Sequence, residues 1–328
     1  MKKWVSLLCI AAVCAGLLTG CGQGGIADST GQEIKIGLNM ATRDDFMTSL
    51  ESAAVKAAGQ DDVKMEVANA NNDESVQLAQ VEEWAEKGYA AAIVVLCESN
   101  AAEKVLKKAG TMPVVFVNRQ PDDLDVLQSR SNVIYIGCRE PDAGRMQGEY
   151  LADYFENQQL SAPQIAVIAG DDKTKTSVLR MDAAEEALTK AGIAPKYIFK
   201  TEAGWIKADA QKKFAEFLKD KPQIDAVLAA NDAMGIGAAD ALAQAGYAIS
   251  TIPIVGVDAT SDGRAAIRDG RLNFTVFQDP QAQGAGAVEA AIQMLGGSAP
   301  ENAVDSAIWI GYTAVDAANV DKLFPDER

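Results

Sequence analysis

Short apolar segments alternate with amphipathic segments along nearly the whole chain from Glu33 onwards. The apolar segments are continuous and rich in branched side chains, as parallel strands covered on both faces are. The intervening segments carry apolar residues at helical spacing, for example Leu78, Val81 and Ala85. We predict strands over eleven segments: 34–40, 63–69, 91–96, 113–118, 133–137, 164–170, 195–201, 224–230, 252–258, 273–278 and 307–312.

This alternation predicts an α/β fold. Eleven strands exceed one comfortable doubly wound sheet, so we expect two doubly wound parallel-sheet domains. The breaks between them are expected near 138–142, 278–280 and 308–312. The expected domains are 33–139 with 279–308, and 140–278 with 309–328.

The N-terminus has the pattern of an export signal. Two lysines precede an apolar run that is too short to span a membrane, so residues 1–20 are interpreted as a signal peptide. Leu18-Thr19-Gly20-Cys21 matches a bacterial lipobox, which predicts lipidation of Cys21; a plain secretory signal is the alternative. Residues 21–32 are small and polar, as in a flexible tether. We therefore expect an extracytoplasmic protein of a bacterium, held at the cell membrane only by lipid.

Composition narrows the function classes. The chain has no histidine, which excludes Ser-His-Asp and Cys-His nucleophile systems and histidine zinc sites. Its formal net charge of −16 disfavours a general nucleic-acid-binding role. Cys97 and Cys138 each end a predicted strand with another strand between them, roughly 9–10 Å apart, so we expect two free thiols rather than a disulfide.

The stretch "LAANDAMGIGAADAL" at 228–242 raises the question of a dinucleotide cofactor. A dinucleotide-binding loop places its first glycine in the turn directly after the strand. Here Asn231 and Asp232 occupy that turn. We therefore expect no cofactor: Gly235 and Gly237 let the helix approach its sheet, Asp232 caps the helix, and Asn231 is free to contact a ligand.

Aromatic and planar polar residues follow several predicted strands, where ligands of open α/β sheets lie. Such residues suit a sugar, which offers apolar ring faces and a rim of hydroxyls. Six stretches, in order, resemble the bacterial sugar-binding proteins of the galactose/glucose- and ribose-binding type. They are "IKIGLNMATRDDFMTSL", "MPVVFVNRQP", "VIYIGCREPDAGRMQGEYLADYF", "TEAGWIKADAQKKFAEFL", "VLAANDAMGIGAADAL" and "IPIVGVDATSDGRAAIRDGRLNFTVFQDP".

The resemblance implies a type I periplasmic binding protein: two domains joined by a three-crossing hinge that close on a monosaccharide. It implies that Asp45 receives a hydroxyl and Phe46 stacks on the ring, the alternative being an acidic helix cap with a core phenylalanine. Asn118 and Arg119 are implied ligand residues, with a surface ion pair as the alternative for Arg119. The remaining implied contacts are Arg180, Trp205 (alternatively a loop anchor), Asn231, Asp258 and Gln278.

Some positions depart from the family pattern. Thr174 and Thr176, which we also expect to contact the ligand, stand where the galactose-binding type has a histidine and an aspartate, and Leu96 replaces an asparagine. The segment "ENQQLSAPQ" lacks the alternating acids of the family's calcium loop, so we expect no metal site. These departures put the identity of the sugar in doubt.

The leading hypothesis is a monomeric, lipid-anchored receptor that is not an enzyme. It binds a monosaccharide, with a hexopyranose such as glucose or galactose favoured, and delivers it to the permease of an ABC transporter. The alternative keeps this architecture with a nucleoside, a polyol or a signalling sugar derivative as ligand, read also by a chemoreceptor. A glycosidase working with a carboxylate pair is the third hypothesis.

Overall fold

The computed structural model describes residues 33–297 and 299–327. The predicted signal peptide, the predicted lipidation site Cys21 and the predicted tether lie outside these residues, which begin at Glu33. In the part of the chain that is described, no helix is both long enough and apolar enough to cross a membrane.

The first sheet has six strands, and each neighbouring pair is parallel. The first strand of the chain lies next to one edge of this sheet, and the eleventh strand forms the opposite edge. Strands are numbered in chain order: Lys35–Met40 (β1), Lys64–Asn69 (β2), Ala91–Val94 (β3), Val114–Val117 (β4), Val133–Cys138 (β5) and Ala307–Ile310 (β11), arranged β11-β5-β4-β3-β1-β2.

The second sheet repeats this design with one antiparallel edge. Its last strand pairs antiparallel with its neighbour, while the other pairs are parallel. The strands are Gln164–Ala169 (β6), Lys196–Glu202 (β7), Ala226–Ala229 (β8), Ile254–Val255 (β9), Phe274–Phe277 (β10) and Thr313–Asp316 (β12), arranged β12-β10-β9-β8-β6-β7.

Helices cover both faces of each sheet. Those beside the first sheet are Asp45–Gln60 (α1), Glu74–Glu86 (α2), Ala102–Ala109 (α3) and Pro280–Leu295 (α9). Those beside the second are Glu140–Asn157 (α4), Lys175–Lys190 (α5), Lys207–Phe217 (α6), Asp232–Gln244 (α7), Ser261–Arg268 (α8) and Val320–Leu323 (α10). Alternate residues of one strand enter different cores: Ile93 packs on the α1 and α9 side, and Val94 on the side of α2 and α3.

The chain passes between the sheets three times: after β5, after β10 and after β11. Every predicted strand segment contains a strand, so the α/β prediction is confirmed. The last segment was predicted too long, because β11 ends at Ile310 and β12 starts at Thr313 on the other sheet. The hydrophobic pattern missed β12 because Val315 is the one fully buried residue among its four.

Cys97 and Cys138 are free, as expected, and buried; β4 lies between β3, which precedes Cys97, and β5, which ends at Cys138. Burial raises the pKa of the Cys97 thiol to about 11, against the opposing charge of Arg119. Thiols of this kind are inert at neutral pH, since the thiolate is the reactive form.

Two glycines of α4 let this helix approach α5 closely. A Cβ atom at Gly144 would lie 1.9 Å from the carbonyl oxygen of Arg180, and one at Gly148 would lie 2.5 Å from that of Ala184. Because backbone atoms cannot give way as a flexible side chain can, any larger residue here must move α5.

We predict that Gly148→Ala lowers the free energy of unfolding by about 1–3 kcal/mol, the usual cost of overpacking a well-packed contact. The matched control is Gly59→Ala in α1, where a Cβ atom would meet nothing within 4 Å. That variant is expected to be neutral or slightly stabilising, because alanine favours helix over glycine. Thermal midpoints of the two variants measure the difference; equal midpoints would contradict the close-packing explanation.

Candidate ligand-binding site

A cavity of about 400 Å³, counting the part open to solvent, lies between the two sheets. The residues that line it follow the carboxyl ends of strands in both sheets or begin the next helix. They are Asp44, Phe46, Met47, Asn118, Arg119, Glu140, Thr176, Arg180, Trp205, Asn231, Asp258 and Gln278.

Two aromatic side chains contribute from opposite domains. Phe46 is in the first turn of α1, and Trp205 lies between β7 and α6. The indole Nε1 of Trp205 donates to Asp171 Oδ2 at 2.6 Å. Gly170 lies against the ring so closely that a Cβ atom there would be 2.1 Å from it. The indole is therefore held in place by its own loop, as in the loop-anchor role considered as the alternative, and it also lines the cavity.

A buried ion pair forms the polar side of the cavity. Glu140 Oε2 accepts from Arg180 Nε at 3.0 Å and from Arg180 Nη2 at 2.5 Å, and both side chains are 2% exposed. Arg180 Nη1 donates to the carbonyl oxygen of Ala230. Burial is the largest single effect and lowers the pKa of Arg180, but the electrostatic interactions with Glu140, Tyr312 and Asp258 and the hydrogen bonds to Glu140 together outweigh it, and the net pKa is raised. Three of the five guanidinium donors of Arg180 are thus committed, and two remain for a ligand.

Glu140 and Tyr312 were not predicted from the sequence. The Tyr312 hydroxyl lies 3.1 Å from Glu140 Oε2 and 3.1 Å from Gln278 Oε1. Burial raises the pKa of Tyr312 well above its usual value, so the hydroxyl keeps its proton. Glu140, Gln278 and Tyr312 follow β5, β10 and β11, the strands after which the chain crosses between the sheets. The three crossings therefore share one hydrogen-bonded centre beside the ligand cavity.

Asp258 and Thr176 face the cavity with unused hydrogen-bonding capacity. The Asp258 carboxylate is 8% exposed and has no side-chain hydrogen bond to any described residue. The hydroxyl oxygen of Thr176 is buried and also lacks a partner. Burial raises the pKa of Asp258 well above its usual range, with Arg180 opposing the rise. Buried polar groups without partners are costly, so these two need a ligand or water to bond.

Three of the eleven described non-glycine residues with positive φ also lie in this cavity. Asn118, Trp205 and Asp258 have φ of 64°, 68° and 110°. Residues with side chains rarely adopt such angles, and the strained ones cluster at functional sites. All three line the cavity.

Asn118 and Arg119 lie at the end of β4 as predicted. Asn118 Nδ2 donates to Gln283 Oε1 at 3.1 Å, and the side-chain oxygen Oδ1 of Asn118 has no partner among the described residues. Arg119 Nη1 donates to Asn72 Oδ1 and to the carbonyl oxygen of Leu96, each at 3.1 Å. Arg119 is 4% exposed, so the surface ion pair considered as its alternative is excluded. Burial lowers the pKa of its guanidinium.

Asn231 and Asp232 have different roles from those expected. Asn231, not Asp232, caps α7, since its side-chain oxygen accepts from the Met234 amide at 2.9 Å. Asp232 is fully buried and accepts from Thr275 Oγ1 at 2.6 Å. Of the glycines, Gly235 faces the sheet, while Gly237 faces the backbone of α6, where a Cβ would lie 2.4 Å from the Lys207 carbonyl oxygen.

Two predicted ligand residues do not line the central cavity. Asp45 is exposed, and it is Asp44 that reaches the cavity while capping α1 through the Met47 amide at 2.8 Å. Thr174 is buried, and its hydroxyl donates to Asp171 Oδ1 at 3.0 Å, on the same carboxylate that holds Trp205. The structure therefore gives Thr174 a supporting position behind the aromatic residue.

Comparisons with known proteins fit this geometry. Residues 36–299 match the family model described as periplasmic binding protein domain. The chain is 30% identical over 290 residues to a protein assigned as rhizopine-binding in Rhizobium meliloti, covering 87% of this chain and 91% of that protein. It is 27% identical over 319 residues to the D-ribose/D-allose-binding protein of Pseudomonas aeruginosa, covering 94% and 97% of the two chains.

A solved structure agrees over nearly the whole length. The ABC transporter solute binding protein of Bacillus halodurans C-125, which contains bound myo-inositol, superposes with a TM-score of 0.80 at 26% identity. The match covers 92% of this chain and 99% of that one. The fold is therefore the type I periplasmic binding protein fold, and these relatives are solute-binding proteins rather than enzymes. The chain belongs to the periplasmic sugar-binding proteins of ABC transporters.

Proposed function

We propose that the protein binds one uncharged hexopyranose, such as glucose or galactose, between its two domains and hands it to an ABC transporter permease. The observation that carries this proposal is the cavity itself, which has an aromatic residue from each domain and planar polar side chains around them. Aromatic rings suit the apolar faces of a sugar, and carboxylate, amide and guanidinium groups suit its hydroxyls. Contacts from both domains favour the closed arrangement when the sugar binds.

The unused groups of the cavity match hydroxyls in particular. Asp258 needs a donor, Arg119 retains guanidinium N–H groups that need an acceptor, and Thr176 can use either. A hydroxyl serves all three because it both donates and accepts. The two guanidinium groups that line the cavity, Arg119 and Arg180, are outnumbered by three acidic side chains, Asp44, Glu140 and Asp258, so the cavity does not favour an anion.

A cyclic polyol is the second candidate ligand. It is supported by the bound myo-inositol of the Bacillus halodurans relative, which is 26% identical to this chain. It is also consistent with Thr174, Thr176 and Leu96, which depart from the galactose-binding pattern. A cyclitol has the same flat faces and hydroxyl rim as a hexopyranose, so the aromatic pair accepts either.

The Thr-Gly-Cys sequence before the tether supports a proposal about location. We propose that Cys21 carries the lipid that holds the protein outside the cytoplasm at the cell membrane, and that the protein works as a monomer. We also propose that a chemoreceptor recognises the closed form, so that ligand binding serves chemotaxis as well as transport.

Isothermal titration is predicted to identify a six-membered ring ligand. The panel is D-glucose, D-galactose, D-ribose, D-allose, myo-inositol and the open-chain polyol xylitol. We expect one six-membered ring to bind at least tenfold more tightly than xylitol, which has no flat face and loses more freedom on binding. Selectivity between the hexoses and myo-inositol decides between the two candidates, and no binding of any compound would refute both.

Asp258→Asn and Trp205→Ala are predicted to reduce affinity for that ligand. Loss of a hydrogen bond to a charged group costs about 1.5–3 kcal/mol, so we expect a decrease of about tenfold to 150-fold for Asp258→Asn. The ligand-free variant should melt at the same temperature or higher, because it no longer buries an unpartnered carboxylate.

The control for these variants is Val178→Ala, a change at a side chain that is 49% exposed and does not line the cavity. It should bind like the parent. If Asp258→Asn and Trp205→Ala also bound like the parent, the proposed site would be wrong.

Metabolic labelling tests the lipid anchor. In a bacterium that is fed a palmitate analogue, the full-length chain is predicted to incorporate the label, and Cys21→Ala is predicted not to. Cys97→Ser is the matched control and should keep the label, because Cys97 is buried in the folded domain. Equal labelling of the parent and Cys21→Ala would exclude this lipidation site.

A further inference from the structure

Asp232 is a fully buried acid that the proposed ligand site does not use. It lies in the first turn of α7, directly after Asn231, and does not line the central cavity. Burial raises the pKa of its carboxyl group to about 7, against the hydrogen bonds that it accepts from Thr275 and Thr260. A buried carboxylate without partners is costly, so these bonds are what allows the side chain to remain here.

The Asp232 carboxylate is bonded, directly and through one hydroxyl, to the turn that carries Asp258. Its Oδ2 accepts from the Thr260 amide at 3.1 Å, two residues after Asp258. Its Oδ1 accepts from Thr275 Oγ1 at 2.6 Å, and this hydroxyl oxygen in turn accepts from the Ala259 amide at 3.2 Å. The two amides that follow Asp258 are therefore both held through one carboxylate.

That turn has a backbone conformation that needs support. Asp258 has a φ of 110° and Ala259 a φ of 46°, so two consecutive residues with side chains lie in the region that favours glycine. Such conformations persist only where the surrounding structure fixes them. The Asp258 carboxylate itself has no side-chain hydrogen bond to any described residue. The direction in which it points therefore depends on the backbone of the turn.

The backbone on both sides of the turn lies against the Asp232 carboxylate. A Cβ atom at Gly256, directly after β9, would lie 2.3 Å from Oδ1, and one at Gly263 in α8 would lie 1.9 Å from Oδ2. Thr260, which bonds the carboxylate through its amide, also caps α8, since its hydroxyl accepts from the Gly263 amide at 3.0 Å. The end of β9, the turn and the start of α8 are thus packed around this one side chain.

We propose that Asp232 and Thr275 are positioning residues for ligand binding, which hold the turn 258–260 so that the Asp258 carboxylate meets the ligand in one fixed direction. Neither residue lines the cavity, so both act through Asp258. This inference rests on the proposed function, because it gives Asp258 a ligand hydroxyl to receive. A carboxylate that is already fixed in direction loses little freedom when it binds, which favours affinity.

The test measures affinity by isothermal titration of the mature chain with D-glucose, D-galactose and myo-inositol. Thr275→Val keeps the shape of the side chain but removes the hydroxyl, so the Ala259 amide and one Asp232 oxygen each lose a partner. We expect this variant to bind the parent's ligand about tenfold more weakly, within the usual cost of leaving buried groups unpaired. Thr275→Ser retains the hydroxyl and should bind within about twofold of the parent.

A double-mutant cycle with Asp258→Ala separates positioning from a general loss of stability. Once the Asp258 carboxylate is absent, Thr275→Val has nothing to misplace, and it should change the remaining affinity by less than about twofold. Ile236→Val is the matched control, a small change at a side chain of α7 that is 3% exposed and does not line the cavity. It should lower the thermal midpoint while binding like the parent.

Thermal midpoints show whether each variant is folded. If Thr275→Val does not fold, Thr275→Ala replaces it, because it removes the same hydroxyl without placing a methyl group beside the carboxylate. Equal affinities of the parent and the variant without the hydroxyl would overturn this inference while the proposed function stands. An equal loss of affinity with and without the Asp258 side chain would also overturn it, since Thr275 would then act on the fold alone. Failure of all three rings to bind the parent refutes the proposed function itself.

Discussion

The carboxylate of Glu140 and the guanidinium of Arg180 lie together between the two domains, both 2% exposed. Each would be strongly destabilising there alone: breaking a buried pair by removing one partner costs about 3–5 kcal/mol. Their geometry depends on features far apart in the sequence. Gly144 and Gly148 bring α4, which begins at Glu140, close to α5, which carries Arg180.

This pair also connects the ligand cavity with the chain crossings. Tyr312, 3.1 Å from Glu140, extends the pair to Gln278, so a group on each crossing meets the same buried centre. Arg180 and Gln278 line the cavity as well. A ligand that bonds them contacts the centre that the three crossings share. In the proposed receptor, this contact would couple ligand binding to domain closure.

The fold and most of the cavity could be predicted, because continuous apolar strands and the residues after them are local patterns. Asn118, Trp205 and Asp258 were implied by the family resemblance, and each lies at or near a strand end and lines the cavity. The centre formed by Glu140 and Tyr312 could not, because its groups are 172 residues apart and nothing local pairs them. The helix caps were also ambiguous from the sequence, because two adjacent polar residues precede each helix. Asp44 caps α1 and Asn231 caps α7, and a start one residue later would have made Asp45 and Asp232 the caps instead.

The central claim is that a polyhydroxylated ring lies between Phe46 and Trp205 and bonds Asp258 and Arg180. A crystal structure of the mature protein, grown with the ligand that remains bound through gentle purification, tests it most directly. The predicted result is a ring between the two aromatic side chains, with a hydroxyl within hydrogen-bonding distance of the Asp258 carboxylate and of an Arg180 nitrogen. Ligand density outside this cleft, or a ligand without a ring, would contradict the account.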